Sequence, residues 1–192
     1  MKFYVANILD EIEDGGVEQL QADLSTFSSP QNPEIEDFIH HKAIDFATGK
    51  LSITYLVNNA ETGDILGFFT LTHKSIIVNG NNLSSTSRKK LIRYSRMDTS
   101  SGNYMASAFL LAQLGKNYSI KEEQRIDGAD LMKLATEVLV HIQHQIGGGI
   151  VYLDCEDNDH LVRFYSSHNF KCFDNRISVE DDQRFIQFIR FF

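Results

Sequence analysis

Apolar positions in the C-terminal half of the chain alternate between strand-like runs and one helix-like period. Apolar runs of strand length cover 108–115 and 150–155, and between them apolar residues recur at helical spacing from Gly128 to about Gln145. The helical stripe consists of Leu131, Leu134, Ala135, Val138, Leu139 and Ile142. The pattern predicts a β–α–β unit. A helix that begins after a strand presents its first N–H groups to an anion, so this unit is the candidate for function.

The N-terminal half shows shorter patterns. Residues 2–9 are predicted to form a strand, Asp10–Gly16 an acidic turn, and Val17–Leu24 a two-turn helix. A longer helix is predicted from Asn32 to Phe46, because asparagine followed by proline is a typical helix start. The segments Leu51–Asn58 and Asp64–Thr72 are predicted to form a β-hairpin around a polar turn.

The remaining segments complete a single α/β domain over residues 1–192. Residues 88–96 read as a basic amphipathic helix and Asp98–Ser107 as a flexible connection. After a short helix that ends near Tyr165, we expect a strand at 169–173 and an acidic loop through Asp182. The chain then ends in an aromatic, β-branched strand over 184–192.

Net charge limits the classes of partner. The 192-residue chain carries a formal charge of −8, which disfavours binding to nucleic acid in general. Basic residues cluster only from Arg88 to Arg96, and this cluster reads either as a solvated helix face or as a site for phosphate or tRNA. No apolar run is long enough to span a membrane, and the N-terminus does not resemble a signal peptide, so we expect a cytoplasmic location.

Neither cysteine nor histidine spacing indicates a metal site. Cys155 and Cys172 lack Cys-x-x-Cys spacing, and adjacent His40 and His41 diverge by about 100° on a helix. Carboxylates that flank Cys155 would raise the pKa of its thiol, so we interpret both cysteines as packing residues.

Three stretches resemble one known family. Asp64–Leu71 has the glycine, aromatic and leucine order of an early hairpin strand. Phe109–Asn117, followed by the helix start Gly128–Met132, resembles a central strand and the helix after a phosphate-binding loop. Asn158–Phe170 keeps the spacing of an asparagine-x-x-alanine-x-x-aromatic-tyrosine segment. Together they resemble the Gcn5-related N-acetyltransferases (GNAT).

The resemblance implies a fold and a co-substrate. The expected fold is a GNAT-like acyl-CoA acyltransferase, with a central mixed, mostly antiparallel, twisted sheet flanked by helices. The co-substrate would be acetyl-CoA, with no metal, and backbone N–H groups would hold its pyrophosphate. Ile126 stands where the family has a glycine, and Lys116 and Arg125 would supply positive charge there. The resemblance implies these cofactor-binding residues: Gln113, Leu114, Gly115, Lys116, Arg125, Ile126, Asp127, Gly128, Ala129 and Asn158.

The resemblance also implies a mechanism, which is direct acetyl transfer to an amine within a ternary complex. Tyr165 would be the general acid for the leaving thiolate, and the N–H near Leu114 would polarise the thioester carbonyl. Candidates for the general base are Glu156, Asp98 and His73.

The acceptor remains open at this stage. The first prediction is an amine of a small molecule or a protein. One alternative is a toxin-like acetyltransferase that acts on aminoacyl-tRNA, for which Arg88–Arg96 is the feature in favour. Another alternative is a non-catalytic acyl-CoA-binding or regulatory module. The sequence does not indicate an oligomeric state.

Overall fold

A computed structural model describes residues 2–178 and 182–192. Over these residues one mixed sheet has eight strands: β1 (Phe3–Asn7), β2 (Ile53–Asn59), β3 (Ile65–Asn79), β4 (Ser95–Met97), β5 (Asn103–Lys116), β6 (Ile150–Glu156), β7 (Lys171–Ile177) and β8 (Arg184–Phe191). Their order is β1-β2-β3-β5-β6-β8-β7, and β4 pairs with β5. Helices of the described chain are α1 (Ile8–Gly15), α2 (Val17–Leu24), α3 (Pro33–His41), α4 (Ala43–Thr48), α5 (Ser85–Ile92), α6 (Gly128–Ile146) and α7 (Asp159–Ser167).

The expected fold class is confirmed. Antiparallel ladders join β1 to β2, β2 to β3, β4 to β5, β6 to β8 and β7 to β8, whereas β5 and β6 run parallel. The parallel pair is the one connected by α6, because a crossover helix returns the chain to the same end of the sheet. The predicted β–α–β unit is therefore present.

The predicted acidic turn at Asp10–Gly16 is wrong. This segment belongs to α1, which the Asn7 side chain caps by accepting a hydrogen bond from the Leu9 N–H at 2.9 Å. Gly16 has φ 82° and ends the helix. The sequence pattern concealed the helix because strand β1 runs directly into its cap, and the apolar residues of the two elements merge.

The predicted helix from Asn32 to Phe46 is interrupted. Asn32 does cap its start by accepting from the Ile35 N–H at 3.2 Å. At Lys42 the backbone leaves helical geometry, with φ −121°, and α4 begins afresh at Ala43. Periodicity alone does not reveal the break, because apolar residues of both short helices enter the same core.

The segment 88–107 also differs from its prediction. Helix α5 starts earlier, at Ser85, and ends at Ile92. The chain then forms β4, and β5 begins at Asn103 rather than near Phe109. The predicted flexible connection is thus the turn between β4 and β5 followed by the start of β5, which its polar side chains did not indicate. The predicted strand at 169–173 extends to Ile177, and residues 179–181 of the predicted acidic loop lie outside the described residues.

Contacts divide the chain into two compact units. Unit 1 comprises Met1–Thr72 and Ala112–Val140, and unit 2 comprises His73–Leu111 and His141–Phe192. In unit 1, α1 and α4 pack against β2 around an apolar cluster that includes the fully buried Ile8, Leu24 and Phe68. In unit 2, α7 packs on β6 and β7. A second cluster there contains Val78, Leu91 and Ile189.

Candidate active site

In unit 1 the end of β5 is packed too tightly for a side chain at Gly115. A Cβ at that position would lie 2.5 Å from Cγ2 of Ile35 and 3.0 Å from Cε1 of Phe68. Gly115 therefore brings its backbone into direct contact with the core. The C-terminal end of β5, which was predicted to face the thioester, is therefore fixed by apolar packing against Ile35 and Phe68.

Asn117, the residue directly after β5, ties three segments of unit 1 together. Its buried side-chain Oδ1 accepts hydrogen bonds from the N–H of Ser28 (3.0 Å), the N–H of Ser119 (3.0 Å) and the hydroxyl of Ser119 (2.8 Å). Its Nδ2 donates to the carbonyl of Ile65 at 2.8 Å. Our sequence reasoning missed this residue. The available signal was an asparagine immediately after a buried strand, where it can pair with free backbone groups.

Arg125 holds the loop between β5 and α6. Its Nε donates to the carbonyl of Ile120 at 2.7 Å and its Nη2 to that of Tyr118 at 2.9 Å. The guanidinium also lies 5.2 Å from the centre of the Tyr118 ring, and Nζ of Lys116 lies 5.5 Å from the same centre. The two cations predicted to attract an anion thus flank one aromatic ring, and Arg125 already uses two donors on its own loop.

The start of α6 has free backbone N–H groups, which favour an anion, next to the negatively charged carboxylate of Asp127. Asp127 caps the helix, because its Oδ1 accepts from the N–H of Asp130 at 2.8 Å. The N–H groups of Gly128 and Ala129 precede the first intrahelical donor and have no partner among the described residues. Ile126 is 2% exposed and anchors the loop in the core. Two backbone donors are therefore free for a phosphate, while the Asp127 carboxylate adds negative charge beside them.

In unit 2 strand β6 has one edge that is only partly paired. Over the described residues, its pairing with β5 covers Phe109 with Val151 and Leu110 with Tyr152. On its other edge β6 pairs with β8 along the whole strand, from Ile150 to Glu156. The backbone from Leu153 onward is therefore free on one edge to pair with an extended, amide-bearing ligand.

Asn158, which was predicted to contact the cofactor, also caps helix α7. Its Oδ1 accepts from the N–H of His160 at 2.8 Å and so caps α7. The backbone N–H of Asn158 donates to the carbonyl of Glu156 at 2.7 Å. Its side-chain Nδ2 has no partner among the described residues, and this is the atom left to contact a ligand.

The ring of Tyr165, near the end of α7, packs against three phenylalanine rings. Its ring centre lies 5.1 Å from Phe164, 6.0 Å from Phe170 and 6.0 Å from Phe188. Among the described residues no group forms a hydrogen bond with its hydroxyl. Burial, with a smaller contribution from the nearby Cys155 thiol, raises the pKa of Tyr165 above its usual 10.0. The phenol therefore stays protonated at neutral pH and keeps a hydrogen to donate.

The other candidate groups of unit 2 are less suited to chemistry. Burial and the neighbouring carboxylates raise the pKa of Cys155 to about 12, so its thiol is not a nucleophile at neutral pH. Asp98 accepts from Ser101 and Ser100, and these hydrogen bonds lower its pKa to about 2, which makes it a poor base. The ring of His73 packs 5.1 Å from that of Phe109. Glu156 is partly exposed at the end of β6 and remains a candidate for the base.

The predicted site residues thus fall into two groups. Unit 1 contains the group on the end of β5, the loop and the start of α6: Gln113, Leu114, Gly115, Lys116, Arg125, Ile126, Asp127, Gly128 and Ala129. Unit 2 contains Asn158 and Tyr165, which lie at the two ends of α7. Their roles toward acetyl-CoA remain predictions.

Several solved structures superpose on this chain over nearly its whole length. AtaT complexed with acetyl-methionyl-tRNAfMet superposes with a TM-score of 0.65 at 17% identity, over 96% of this chain and 94% of that chain. A tyrosine-to-phenylalanine mutant of KacT gives a TM-score of 0.64 at 16% identity, over 96% and 94%. A tyrosine-to-phenylalanine mutant of the AtaT toxin, bound to the C-terminus of the antitoxin AtaR and acetyl-CoA, gives 0.62 at 14% identity, over 100% and 94%. No protein-family model and no curated protein sequence matches this chain.

The chain has the GNAT fold. The resemblance that three short sequence stretches suggested therefore extends to the backbone of nearly the whole chain. Within the described part of this GNAT-fold chain, no helix is long and apolar enough to cross a membrane. Nor do three or more histidine, cysteine, aspartate or glutamate side chains of that part gather in a way that would hold a metal ion.

Proposed function

We propose that the chain is an acyl-CoA-dependent N-acyltransferase that transfers an acetyl group from acetyl-CoA to an amine. The observation that carries the proposal is Tyr165, whose protonated hydroxyl has no partner among the described residues although its ring is fixed by three others. A side chain ordered in this way, with its donor left unused, is what a general acid requires. Solved structures of AtaT and of KacT include variants in which one tyrosine is replaced by phenylalanine.

Each candidate residue has a task that its geometry permits. The N–H groups of Gly128 and Ala129 would bind the pyrophosphate, and the Nδ2 of Asn158 and the free edge of β6 would bind the amides of the pantetheine arm. Acetyl-CoA supplies the activated acetyl group when it is bound. A base would take a proton from the ammonium form of the acceptor, and the neutral nitrogen would then form the new bond to the acetyl carbon. The nitrogen would lose its second proton to the base or to water as the amide forms. Tyr165 donates a hydrogen bond and a proton to the sulfur as the carbon–sulfur bond breaks.

Calorimetric titration with acetyl-CoA and with CoA tests the binding half of the proposal. We expect micromolar binding of both, and we expect Gly128→Glu to weaken it at least about tenfold, because a carboxylate there opposes the pyrophosphate at the helix start. Gln145→Glu makes the same charge change at the other end of α6 and serves as the control. If neither compound binds the unmodified protein, the acyltransferase proposal fails and the alternative of a non-catalytic module gains support.

A second candidate concerns the acceptor, and a specific observation favours it over a small-molecule or protein amine. AtaT is found in complex with an acetylated aminoacyl-tRNA. In this chain α5 carries exposed Arg88, Lys89 and Lys90, and Arg93 follows at its C-terminal end. We propose aminoacyl-tRNA as the acceptor, with this helix contacting phosphates.

The acceptor is tested by a variant in which Arg88, Lys89, Lys90 and Arg93 are all replaced by glutamine. We expect acetylation of aminoacyl-tRNA to fall while calorimetric binding of acetyl-CoA is unchanged. Retained turnover on aminoacyl-tRNA would show that α5 does not contact the substrate. Turnover on free amines but not on aminoacyl-tRNA would return the acceptor to the small-molecule or protein class.

A further inference from the structure

Positive charge is concentrated in one part of unit 2. From 73 to 97 the chain has no aspartate or glutamate, and it has six lysine and arginine residues: Lys74, Arg88, Lys89, Lys90, Arg93 and Arg96. The chain as a whole has a net charge of −8. None of the ion pairs found among the described residues involves any of these six. The unpaired cations of this segment can therefore bind an external polyanion. The acidic remainder of the chain would repel the same polyanion.

An open groove lies within this segment. It has a volume of about 490 Å³ and is lined by Ser75, Arg93, Tyr94, Ser95, Arg96, Met105, Ala106 and Ser107. Its floor is the antiparallel pair of β4 and β5, in which Arg96 lies opposite Met105 and Ser95 opposite Ala106. Facing residues of adjacent strands project to the same side, so the guanidinium of Arg96 and the thioether of Met105 share one face. A volume of this size suits one or two units of a chain ligand.

The aromatic ring in the groove rests on a glycine. A Cβ at Gly149 would lie 2.2 Å from both Cε1 and Cζ of Tyr94, so the ring occupies the space that a side chain would take. Tyr94 is nevertheless 41% exposed. Its N–H donates to the carbonyl of Leu91 at 3.0 Å, which fixes its backbone at the end of α5. One part of the ring is thus held against the backbone while the rest faces solvent, which is the arrangement of a preformed stacking platform.

Polar groups around this ring are donors. Arg93 and Arg96 are exposed on either side of Tyr94 in sequence, and both line the groove. The hydroxyls of Ser75 and Ser107 have no partner among the described residues, whereas that of Ser95 donates to Leu91. Guanidinium and hydroxyl donors around one aromatic face match the phosphate, sugar and base of a nucleotide.

We propose that this groove is a binding site for single-stranded RNA, in which one unpaired base stacks on Tyr94 and the flanking phosphates contact Arg93 and Arg96. The strand must be single, because a base inside a duplex cannot present its face to a side chain. The choice of RNA over DNA rests on the aminoacyl-tRNA acceptor proposed above. The charge and the aromatic ring do not depend on it. An acidic peptide would satisfy the arginines but leave the ring of Tyr94 without a matching partner.

Fluorescence anisotropy with a labelled single-stranded RNA dodecamer of mixed sequence tests the site on the full chain. We expect Tyr94→Ala to weaken binding about 5- to 100-fold and Tyr94→Phe to change it less than about twofold, since stacking needs the ring and not the hydroxyl. Arg93→Ala and Arg96→Ala should each lower the slope of log affinity against log salt by about 0.7. Lys133→Ala removes one exposed charge on α6, outside the groove, and should leave affinity unchanged.

Three results would overturn the inference, and none of them touches acetyl-CoA binding measured on the same protein. The first is equal affinity of the unmodified protein and Tyr94→Ala. The second is equal affinity for a blunt-ended RNA duplex with no unpaired base. The third is full competition by a polyglutamate peptide of the same charge, which would indicate an acidic-peptide surface. A matching single-stranded DNA dodecamer that binds as tightly would contradict the choice of RNA alone. Failure of acetyl-CoA binding with RNA binding intact would instead contradict the acyltransferase proposal.

Discussion

The two segments predicted to hold acetyl-CoA use their polar groups in opposite ways. In unit 1, two polar side chains of the loop after β5 are used internally: Asn117 binds Ser28, Ser119 and Ile65, and Arg125 binds two carbonyls of the loop itself. In unit 2, the hydroxyl of Tyr165 binds no described residue, although aromatic rings fix its position. The side chains of Asn117 and Arg125 are therefore held by hydrogen bonds, whereas that of Tyr165 is held by aromatic packing alone.

Because of this difference, we expect some single substitutions to change mainly the free energy of unfolding and others to change mainly the reaction rate. A polar group whose bonds are all internal affects folding when it is removed, because its buried partners lose their hydrogen bonds. A polar group that is held by packing and has no internal bond can be removed at little cost to folding, and its loss appears in the reaction.

The largest expected effect is kinetic and lies in unit 2. Tyr165→Phe should lower turnover by about 10²- to 10⁴-fold, which corresponds to about 3 to 5 kcal/mol in the barrier, because it removes the proton donor. Its unfolding free energy should change little, since the hydroxyl has no partner among the described residues. Steady-state kinetics and urea denaturation measure the two quantities. Tyr4→Phe, at an exposed tyrosine of β1, is the control. Turnover equal to that of the unmodified protein would remove Tyr165 from the mechanism.

The next effect is on stability rather than on turnover, and it lies in unit 1. Asn117→Ala should lower the unfolding free energy by about 2 to 4 kcal/mol, because it leaves two N–H groups and one carbonyl without partners in a partly buried place. Urea denaturation measures the loss. Asn103→Ala, at the other end of β5, removes an asparagine whose side chain makes no hydrogen bond with described residues, and it should cost less than about 0.5 kcal/mol. Equal losses in the two variants would contradict the role assigned to Asn117.

A smaller effect concerns the loop alone. Arg125→Met removes the bonds to the carbonyls of Ile120 and Tyr118 and should destabilise the loop by about 1 to 2 kcal/mol. We expect faster amide hydrogen exchange at 119–124 and little change in β1 or β2, because local opening does not require global unfolding. Lys121→Met, at an exposed lysine of the same loop, should leave exchange unchanged. Unchanged exchange in Arg125→Met would show that the loop holds its shape without the guanidinium.

Per pH unit, the smallest effect is a pH dependence of stability that originates in unit 2. Burial raises the pKa of Cys155 to about 12 and raises that of Tyr165 as well, whereas an unfolded thiol ionises near about 8.5 and an unfolded phenol near about 10. Above these unfolded values the folded state binds more protons than the unfolded state. Stability therefore falls as pH rises, by up to about 1.4 kcal/mol per pH unit for each group.

Urea denaturation between pH 8 and 11 measures this slope. We expect Cys155→Ala to flatten it from about pH 8.5 and Tyr165→Phe from about pH 10. The comparison uses slopes rather than absolute stabilities, because removal of the thiol also leaves a small cavity. If neither variant changes the slope, the alkaline sensitivity does not come from this cluster.

Some of the fold could be predicted because the pattern was complete within one segment. The stripe on α6 and the apolar runs of β5 and β6 each contain their own evidence, and the structure confirms all three elements. The break at Lys42 and the helix at Ile8–Gly15 could not be predicted, because each depends on how a short helix meets the core rather than on its own period. The pair of strands β4 and β5 before Phe109 was missed because its residues are polar and its pairing is non-local.

The candidate site shows the same division. Tyr165 and Gly128 were predicted from the resemblance of their segments to the family, and their roles stay predictions. The internal use of Arg125 was not visible, because its partners are backbone carbonyls, which every residue carries. Asn117 was missed for the same reason, since three of its four bonds join it to backbone groups.

The sequence alone indicated an α/β chain, the β–α–β unit and the contrast between an acidic chain and its basic segment, because these properties add up residue by residue. The tertiary structure decided which polar groups are free. A hydrogen bond is a relation between two positions that the chain brings together only on folding. Whether Tyr165 has an unused donor, whether Arg125 is committed to its loop and whether Tyr94 rests on Gly149 are facts of that kind.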